Sequence, residues 1–331
     1  MGPNGRFPVW MKLRPLLAAF ALCAAASATR GQEPPAYTAS ASAEYVLMPV
    51  LVFDAKGRFV DGLGQKDFVI RVDSVPIVLD TFERDDAAPV SFAFLLDASG
   101  SMQLAHKLET AKNAIRSIIR GRHPGDDFAL FEFSEGEVRM VADFSMDPAR
   151  LLRGLYGLEA SGQTALFDAV AATPSRMVRG KNGKRAIVLF TDGVDNASRL
   201  DAARMAEILQ QVSVPVYTVG MKNASFNRVT EEERGQLSVE NLRMLAGSSG
   251  GKMFLVSGED DIRPVAAQIA GEVRKQYLLG FTPSGRGDVK YRFVFVSVAK
   301  PGRWDVRVRR GYRGTAPGVV GGQELQERRP G

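Results

Sequence analysis

The sequence predicts an α/β fold, a doubly wound and mostly parallel sheet with helices on both faces, joined to a small discontinuous β-domain. A near-continuous apolar run, VSFAFLLD at residues 90–97, is typical of a strand that is covered on both faces. Further short apolar runs follow, and segments with helical spacing lie between them. These runs cover residues 128–133, 186–190, 214–219 and 253–256.

Helical periodicity identifies the segments between these strands. After a Gly-containing loop, apolar residues recur at helical spacing from Leu108 to Ile119, in a helix expected to begin near Leu104. Apolar and polar residues alternate over 138–144, which predicts an antiparallel strand at the edge of the sheet. The other helical candidates are residues 165–178, 201–212, 239–246 and 262–273.

The regions that flank the α/β pattern are rich in β-type runs. Residues 44–88 contain the run YVLMPVLVF and two shorter ones, and residues 277–313 contain two strand-like runs around a Lys-Pro-Gly turn. Each region is too small for a good core, because a few strands need a partner face. We therefore predict one β-domain formed by both regions, with the α/β domain of residues 89–276 inserted between them.

The N-terminus has the features of an export signal. Residues 1–28 combine a basic segment, the uncharged apolar run LLAAFALCAAASA and a small-x-small ending. The apolar run is shorter than the about 20 residues that a membrane-spanning helix needs, so we expect no transmembrane helix in the mature chain. Both Met1 and Met11 are candidate start sites. Residues 29–43 have the composition of a linker, and the tail at 314–331 is predicted to be disordered.

Cysteine usage agrees with export. The single cysteine, Cys23, lies in the apolar run, so cleavage after residue 28 leaves a mature protein without cysteine. A lipoprotein is disfavoured because Leu22 stands where a small residue is needed. We expect a periplasmic or extracellular protein. One cysteine and two histidines, His106 and His123, also argue against disulfide frameworks, Cys-rich zinc sites, iron–sulfur clusters and His-based metal sites.

Composition and charge exclude several other classes of protein. The 331 residues are 45% hydrophobic and 24% charged, which argues against collagen, coiled coil and intrinsic disorder as the main state. The net charge of +6 includes Arg6, Lys12 and Arg14 of the first 28 residues, which contain no acid, so the remainder carries only +3. The sequence therefore does not indicate a nucleic-acid partner.

Polar side chains follow predicted strands at one edge of the sheet. The segment Asp-Ala-Ser-Gly-Ser at 97–101 ends the first α/β strand, Thr191 and Asp192 end the run AIVLF, and a polar Gly-bearing loop at 161–166 precedes a helix. Ligands of open parallel sheets bind beyond the carboxyl ends of the strands. These oxygen donors suit Mg²⁺, Mn²⁺ or Ca²⁺ rather than zinc or copper.

In this region the chain resembles the family of von Willebrand factor type A domains. The Asp-x-Ser-x-Ser motif, the threonine of GQTALFDA and the aspartate of FTDG match the order and spacing of that family's metal-ion-dependent adhesion site. The resemblance spans residues 89–273, and the flanks resemble exported bacterial von Willebrand factor A-related proteins, so nearly all of the mature chain is covered. The matching positions are Asp97, Ser99, Ser101, Thr164 and Asp192.

The resemblance implies a Rossmann-like fold and a metal-bridged binding site. Ser99, Ser101 and Thr164 would be direct or near-direct ligands of Mg²⁺, with Mn²⁺ or Ca²⁺ as alternatives, and Asp97 and Asp192 would act directly or through water. An octahedral ion with one water-filled position can accept an outside oxygen, and a Glu or Asp carboxylate of a protein partner is the natural ligand. We expect an exported, non-enzymatic adhesion or assembly module.

Other interpretations stay open. Asp97 and Ser99 could cap the helix that follows, and Asp168 and Asp195 fit helix-start and loop roles better than metal binding. A structural envelope or extracellular protein could keep the motif and bind partners without metal. A metal-dependent hydrolase is disfavoured, because neither a P-loop nor a His-Glu-x-x-His motif occurs and Ser99 stands where an aspartyl-phosphate mechanism needs a second carboxylate.

Overall fold

The computed structural model describes residues 45–210, 212–221, 229–283 and 290–313, and the side chains of these ranges except those of 229–237. The chain divides into two units, Met1–Ser40 and Ala41–Gly331, and all described residues belong to the second unit. The predicted export signal, linker and disordered tail lie outside the described residues.

The first strands in the chain belong to the β-rich part. They are β1 (Val46–Phe53), β2 (Phe68–Val72), β3 (Val75–Ile77) and β4 (Thr81–Glu83).

A central sheet with helices on both faces follows. Its strands are β5 (Val90–Asp97), β6 (Asp127–Ser134), β7 (Glu137–Ser145), β8 (Lys184–Thr191), β9 (Val216–Met221) and β10 (Met253–Val256). The described strands form a six-stranded sheet in the order β10-β9-β8-β5-β6-β7. All neighbours are parallel except β6 and β7, which are antiparallel. The predicted fold class is thus confirmed, with β7 at the edge.

The helices connect these strands and cover the two faces of the sheet. They are α1 (Lys107–Arg120), α2 (Ala149–Tyr156), α3 (Leu166–Ala172), α4 (Ala202–Leu209), α5 (Val229–Ser249) and α6 (Ile262–Arg274). Apolar residues of α1, α2 and α6 share one hydrophobic cluster, and those of α3, α4 and α5 share the other. None of the described helices combines the length and apolar character needed to span a bilayer.

Strand β5 shows why its sequence is apolar throughout. All eight of its residues are buried. Phe92 and Phe94 point into the cluster of α1, α2 and α6, whereas Ala93 and Leu95 point into the other cluster. Successive side chains alternate between the two faces of a sheet, so a strand covered on both sides has no polar face. This central position carries Asp97, the last residue of β5, to the carboxyl edge of the sheet.

Three helix boundaries differ from the predicted ones, and the start of α1 is described with the site below. The helix expected near 239 already begins at Val229. The sequence of its first two turns is rich in charged residues that favour a helix. Because that sequence has no apolar stripe, hydrophobic periodicity does not reveal these turns. The candidate at 165–178 is divided into α3 and a 3₁₀ segment, Pro174–Arg179. Pro174 lacks a backbone N–H and cannot continue an α-helix, so α3 ends before it.

The last strands return to the β-rich part of the chain. They are β11 (Tyr277–Phe281), β12 (Tyr291–Val298), β13 (Asp305–Arg307) and β14 (Gly311–Arg313). Described strands from both flanks form two four-stranded antiparallel sheets, ordered β13-β1-β11-β4 and β14-β12-β2-β3. Apolar side chains of both sheets, among them Met48, Ile70, Tyr277 and Val296, share one cluster.

Candidate functional site

Asp97 is the buried carboxylate at the end of β5. Its side chain is fully shielded from solvent. The backbone N–H of Ser99 donates to its Oδ1 at 2.9 Å, and the hydroxyl of Thr191 donates to its Oδ2 at 2.5 Å. Burial raises the pKa of Asp97 to about 6, although hydrogen bonds from Ser99 and Thr191 oppose this change. A positive charge placed beside this carboxylate would stabilise its ionised form.

The loop after β5 brings two hydroxyls together. Ser99 Oγ and Ser101 Oγ lie 3.2 Å apart, at the start of a 3₁₀ segment, Gly100–His106. Helix α1 begins only at Lys107, and no side chain caps it at His106. The expected helix start near Leu104 is therefore wrong. In the described structure the Asp97 carboxylate bonds its own turn and does not cap α1.

The loop that carries Thr164 packs directly against this turn. Gly100 N donates to the carbonyl of Gly162 at 2.9 Å, and Ser161 N donates to the carbonyl of Ala98 at 2.7 Å. Gly162 has a φ of +76°, and a Cβ there would collide with the side chain of Glu135. Only glycine adopts this conformation readily, so the close contact between the two loops depends on it.

Thr164 itself is fixed by the loop after β8. It is 1% exposed. Its backbone N–H donates to Oδ1 of Asn196 at 2.9 Å, and its carbonyl accepts from the N–H groups of Asn196 and Ala197, both at 3.0 Å. Three loops from different parts of the chain are thereby joined by hydrogen bonds at one edge of the sheet.

Asp192 follows β8 and is paired with a lysine. Its Oδ2 lies 2.6 Å from Nζ of Lys107, and the two side chains are 6% and 3% exposed. Its Oδ1 accepts from the N–H of Val194 at 3.3 Å. The site thus already holds one cation, the ammonium group of Lys107.

Two further aspartates support the loops. Asp195 accepts from the N–H groups of Phe167 and Ser198, both at 3.1 Å. Asp168 accepts from the N–H groups of Arg199 and Leu200, at 3.0 and 3.1 Å. These contacts agree with the loop and helix-start roles expected for both residues.

Comparison with known proteins identifies the α/β region. Residues 92–194 match the family model of the von Willebrand factor type A domain. The matched residues belong to a von Willebrand factor type A domain. It contains the five positions of the predicted metal site, Asp97, Ser99, Ser101, Thr164 and Asp192. Domains of this family commonly mediate protein–protein interaction and are mostly non-enzymatic.

Individual relatives are distant. An uncharacterized protein of Borreliella burgdorferi is 25% identical over 143 residues, and the match covers 41% of each chain, so it spans about two fifths of that relative's length. A von Willebrand factor type A protein from Catenulispora acidiphila is similar over 84% of this chain and 74% of that one, with 14% identity and a TM-score of 0.46. An aerotolerance-related membrane protein of Bacteroides fragilis is similar over 55% of this chain and 99% of that one, with 20% identity and a TM-score of 0.44.

The donor set of the von Willebrand factor type A domain fits a hard divalent cation. It consists of hydroxyl and carboxylate oxygens, the ligands that Mg²⁺, Mn²⁺ and Ca²⁺ prefer. The described residues contain no group of three or more His, Cys, Asp or Glu side chains arranged for a metal. The contact between Asp192 and an ammonium group shows that a positive charge is accommodated at this edge.

Sequence reasoning overlooked two side chains at the site. Lys107 falls on the predicted first helix, and nothing in its local sequence indicates a partner 85 residues away. Thr191 belongs to the recognised strand end, but its role is visible only where its hydroxyl meets Asp97. No signal in the local sequence identifies either contact.

Proposed function

We propose that the protein binds a protein partner through a divalent cation held by its von Willebrand factor type A domain. The ligands would be Asp97, Ser99, Ser101, Thr164 and Asp192. The observation that carries this proposal is the convergence of three hydrogen-bonded loops at the carboxyl edge of the sheet, where each loop contributes at least one of these side chains. The cation would be Mg²⁺, with Mn²⁺ or Ca²⁺ as alternatives.

The neutral hydroxyls give the site its chemical character. A cation bound mostly by Ser and Thr oxygens retains much of its positive charge and can accept a Glu or Asp carboxylate from a partner. The buried Asp97 carboxylate, oriented by Thr191 and by the N–H of Ser99, would position the two serine hydroxyls. The chain would supply geometry and charge, and the partner would supply the remaining oxygen.

We also propose that the protein is not an enzyme. The stretch Gly-Ser-Ser-Gly-Gly at 247–251 has the spacing of a hydrolase nucleophile motif, but it joins α5 to β10, and a nucleophile elbow joins a strand to a helix. Ser249 Oγ instead accepts from the N–H of Val216 and bonds the carbonyl of Ala246, both at 2.9 Å. This serine therefore has a structural role.

The proposed location is the periplasm or the outside of the cell. The proposal rests on the basic and apolar composition of residues 1–28 and on the absence of cysteine from the sequence after them. A partner that presents an exposed carboxylate to the metal site is consistent with either location.

One observation favours a second candidate function, partner binding without metal. Lys107 already neutralises Asp192, so the loops could keep their shape in the absence of a divalent cation. A structural envelope or extracellular interaction protein would then use this edge only for packing. The two candidates differ in their response to EDTA.

The test is a crosslinking pulldown from the native envelope or culture fluid, performed with Mg²⁺ and with EDTA. Capture that requires Mg²⁺ and is lost in Asp97→Ala supports the metal-bridged function. The matched control is Asp127→Ala, which also removes a buried carboxylate, but at the opposite end of the neighbouring strand β6. Capture by this control should still depend on Mg²⁺. Equal capture in EDTA would establish the metal-independent alternative.

Purified protein provides a simpler readout of metal binding. A ligand at 100 times its Kd stabilises the folded state by about 2.7 kcal/mol. At roughly 2–4 °C per kcal/mol for a domain of this size, saturating Mg²⁺ should raise Tm by roughly 5–11 °C. Asp97→Ala should abolish this increase, and Asp127→Ala should retain it. A parent protein whose Tm does not respond to Mg²⁺ would contradict the proposal.

A further inference from the structure

Lys107 is the feature that the proposed function does not explain. It is the first residue of α1, its side chain is 3% exposed, and its ammonium group lies 2.6 Å from Oδ2 of Asp192. The positive end of a helix dipole is its N-terminus, where a lysine is unfavourable. Burial of an ammonium group is unfavourable as well unless it is paired. Its position at the start of α1 therefore depends on the carboxylate of Asp192.

The backbone before Lys107 supports this interpretation. Ala105 and His106 both adopt left-handed conformations, with φ values of +52° and +56°. Residues other than glycine rarely adopt such conformations, and they persist only where the surrounding structure enforces them. Two of them in succession turn the chain sharply from the Ser99–Ser101 loop into α1, and the next side chain is the one that reaches Asp192.

A second buried lysine on the same helix provides a contrast. Lys112 is 4% exposed, and its ammonium group donates to Glu109 Oε1 and to the carbonyl of Leu158, both at 2.8 Å. None of these partners belongs to the proposed metal ligands. The ammonium group of a buried lysine on α1 can thus find partners outside the site. That of Lys107 instead contacts one of the two carboxylates of the site.

We propose that Lys107 is an internal cation that competes with the divalent cation for Asp192 and so sets the metal affinity of the site. The inference rests on the proposed function, because it assumes that the five oxygen donors bind metal. Two cations that contact one carboxylate repel each other, so occupation of the site by a metal favours withdrawal of the ammonium group. Withdrawal removes the contact that holds the first residue of α1, so metal occupancy is coupled to the start of this helix.

The experiment is a titration with Mn²⁺ alone, followed by electron paramagnetic resonance of the free ion. Lys107→Met removes the charge and keeps most of the side-chain length, so it should bind Mn²⁺ about 5- to 150-fold more tightly than the parent, the usual range for coupled sites. Lys107→Arg keeps the positive charge and should stay near the parent affinity. Lys112→Met, the matched control, should not change the affinity.

Stability provides a second readout, and its response to Mn²⁺ separates the inference from a purely structural role of Lys107. Without metal, Lys107→Met should have a lower Tm than the parent because Asp192 is left buried and unpaired. Mn²⁺ should raise the Tm of this variant more than that of the parent. If Lys107→Met does not fold, Lys107→Gln is titrated in its place and is expected to show the same gain in affinity.

The outcomes separate the inference from the proposed function. Tight binding in Lys107→Met that is abolished by adding Asp97→Ala supports the inference, even if the parent binds Mn²⁺ only weakly. Binding in the parent that depends on Asp97, with equal or weaker affinity in Lys107→Met, overturns the inference and leaves the proposed function intact. No Asp97-dependent Mn²⁺ binding in any variant overturns the proposed function, and the inference with it.

Discussion

The substitution Asp126→Asn tests the contribution of a buried ion pair between Asp126 and Arg274, the last residue of α6, to the stability of the fold. Asp126 is a 2% exposed carboxylate immediately before β6. It accepts two hydrogen bonds from the guanidinium group of Arg274, at 3.1 and 2.6 Å, and two from the N–H groups of Val90 and His123, at 2.9 and 2.8 Å. Arg274 ends α6, three residues before β11 begins.

The expected loss of stability in Asp126→Asn follows from the burial of this ion pair. Loss of one partner of a buried, hydrogen-bonded ion pair costs about 3–5 kcal/mol because the other charge stays buried. At roughly 2–4 °C per kcal/mol, Tm should fall by roughly 6–20 °C at neutral pH. The matched control is Asp143→Asn, which breaks a solvent-exposed pair with Arg179. Exposed pairs contribute about 0–1 kcal/mol, so this control should lose little.

The stability lost in Asp126→Asn should depend on pH. Burial raises the pKa of Asp126, but the guanidinium group of Arg274 and the two backbone N–H donors lower it by more, so it lies below the ordinary value. A carboxyl group whose pKa is lower in the folded state contributes stability above its unfolded pKa, about 3.9. That contribution disappears as the pH falls through the folded pKa. The difference between parent and Asp126→Asn should therefore be largest at neutral pH and shrink below about pH 4.

The assay is urea unfolding of parent, Asp126→Asn and Asp143→Asn across this pH range. If Asp126→Asn loses no more stability at pH 7 than Asp143→Asn, the buried ion pair does not stabilise the fold as expected. A loss caused by Asp126→Asn that grows as the pH falls would contradict the lowered pKa of Asp126.

Two other predictions concern the loops of the site. Thr191→Val keeps the side-chain shape but removes the hydrogen bond to the buried carboxylate of Asp97. The free energy of unfolding measured in urea should fall by about 1.5–3 kcal/mol. Unchanged stability would show that this bond contributes nothing. Gly162→Ala and Gly136→Ala both place a Cβ at positive φ, but only the former meets a side chain, whereas nothing lies within 4 Å of the latter. In thermal unfolding Gly162→Ala should be the less stable of the two by more than about 1 kcal/mol, and equal losses would contradict the predicted contact.

The sequence predicts those parts of the fold that depend on hydrophobic periodicity. The apolar strand β5 and the alternating edge strand β7 are examples, because burial on two faces or on one determines which residues a strand tolerates. The beginning of α1 was misplaced by three residues. Its position depends on left-handed conformations at Ala105 and His106, two residue types that do not indicate such a turn.

The sequence can indicate which residues form the candidate site, and their binding of a metal stays a prediction. Four of the five oxygen donors lie at or directly after the ends of β5 and β8, and the topology of a parallel sheet brings such ends to one edge. The fifth, Thr164, lies in the loop before α3. The contact between Lys107 and Asp192 joins residues far apart in the chain and depends on the direction in which α1 leaves its turn. Local sequence contains no information about that direction, so this pair required the structure.

The most direct test of the proposed metal site is an anomalous difference map from crystals of the purified protein soaked in Mn²⁺. We expect one peak among the side-chain oxygens of Asp97, Ser99, Ser101, Thr164 and Asp192, with the ammonium group of Lys107 withdrawn from Asp192. A map without a peak at these oxygens, in which Lys107 still contacts Asp192 at saturating Mn²⁺, would contradict it.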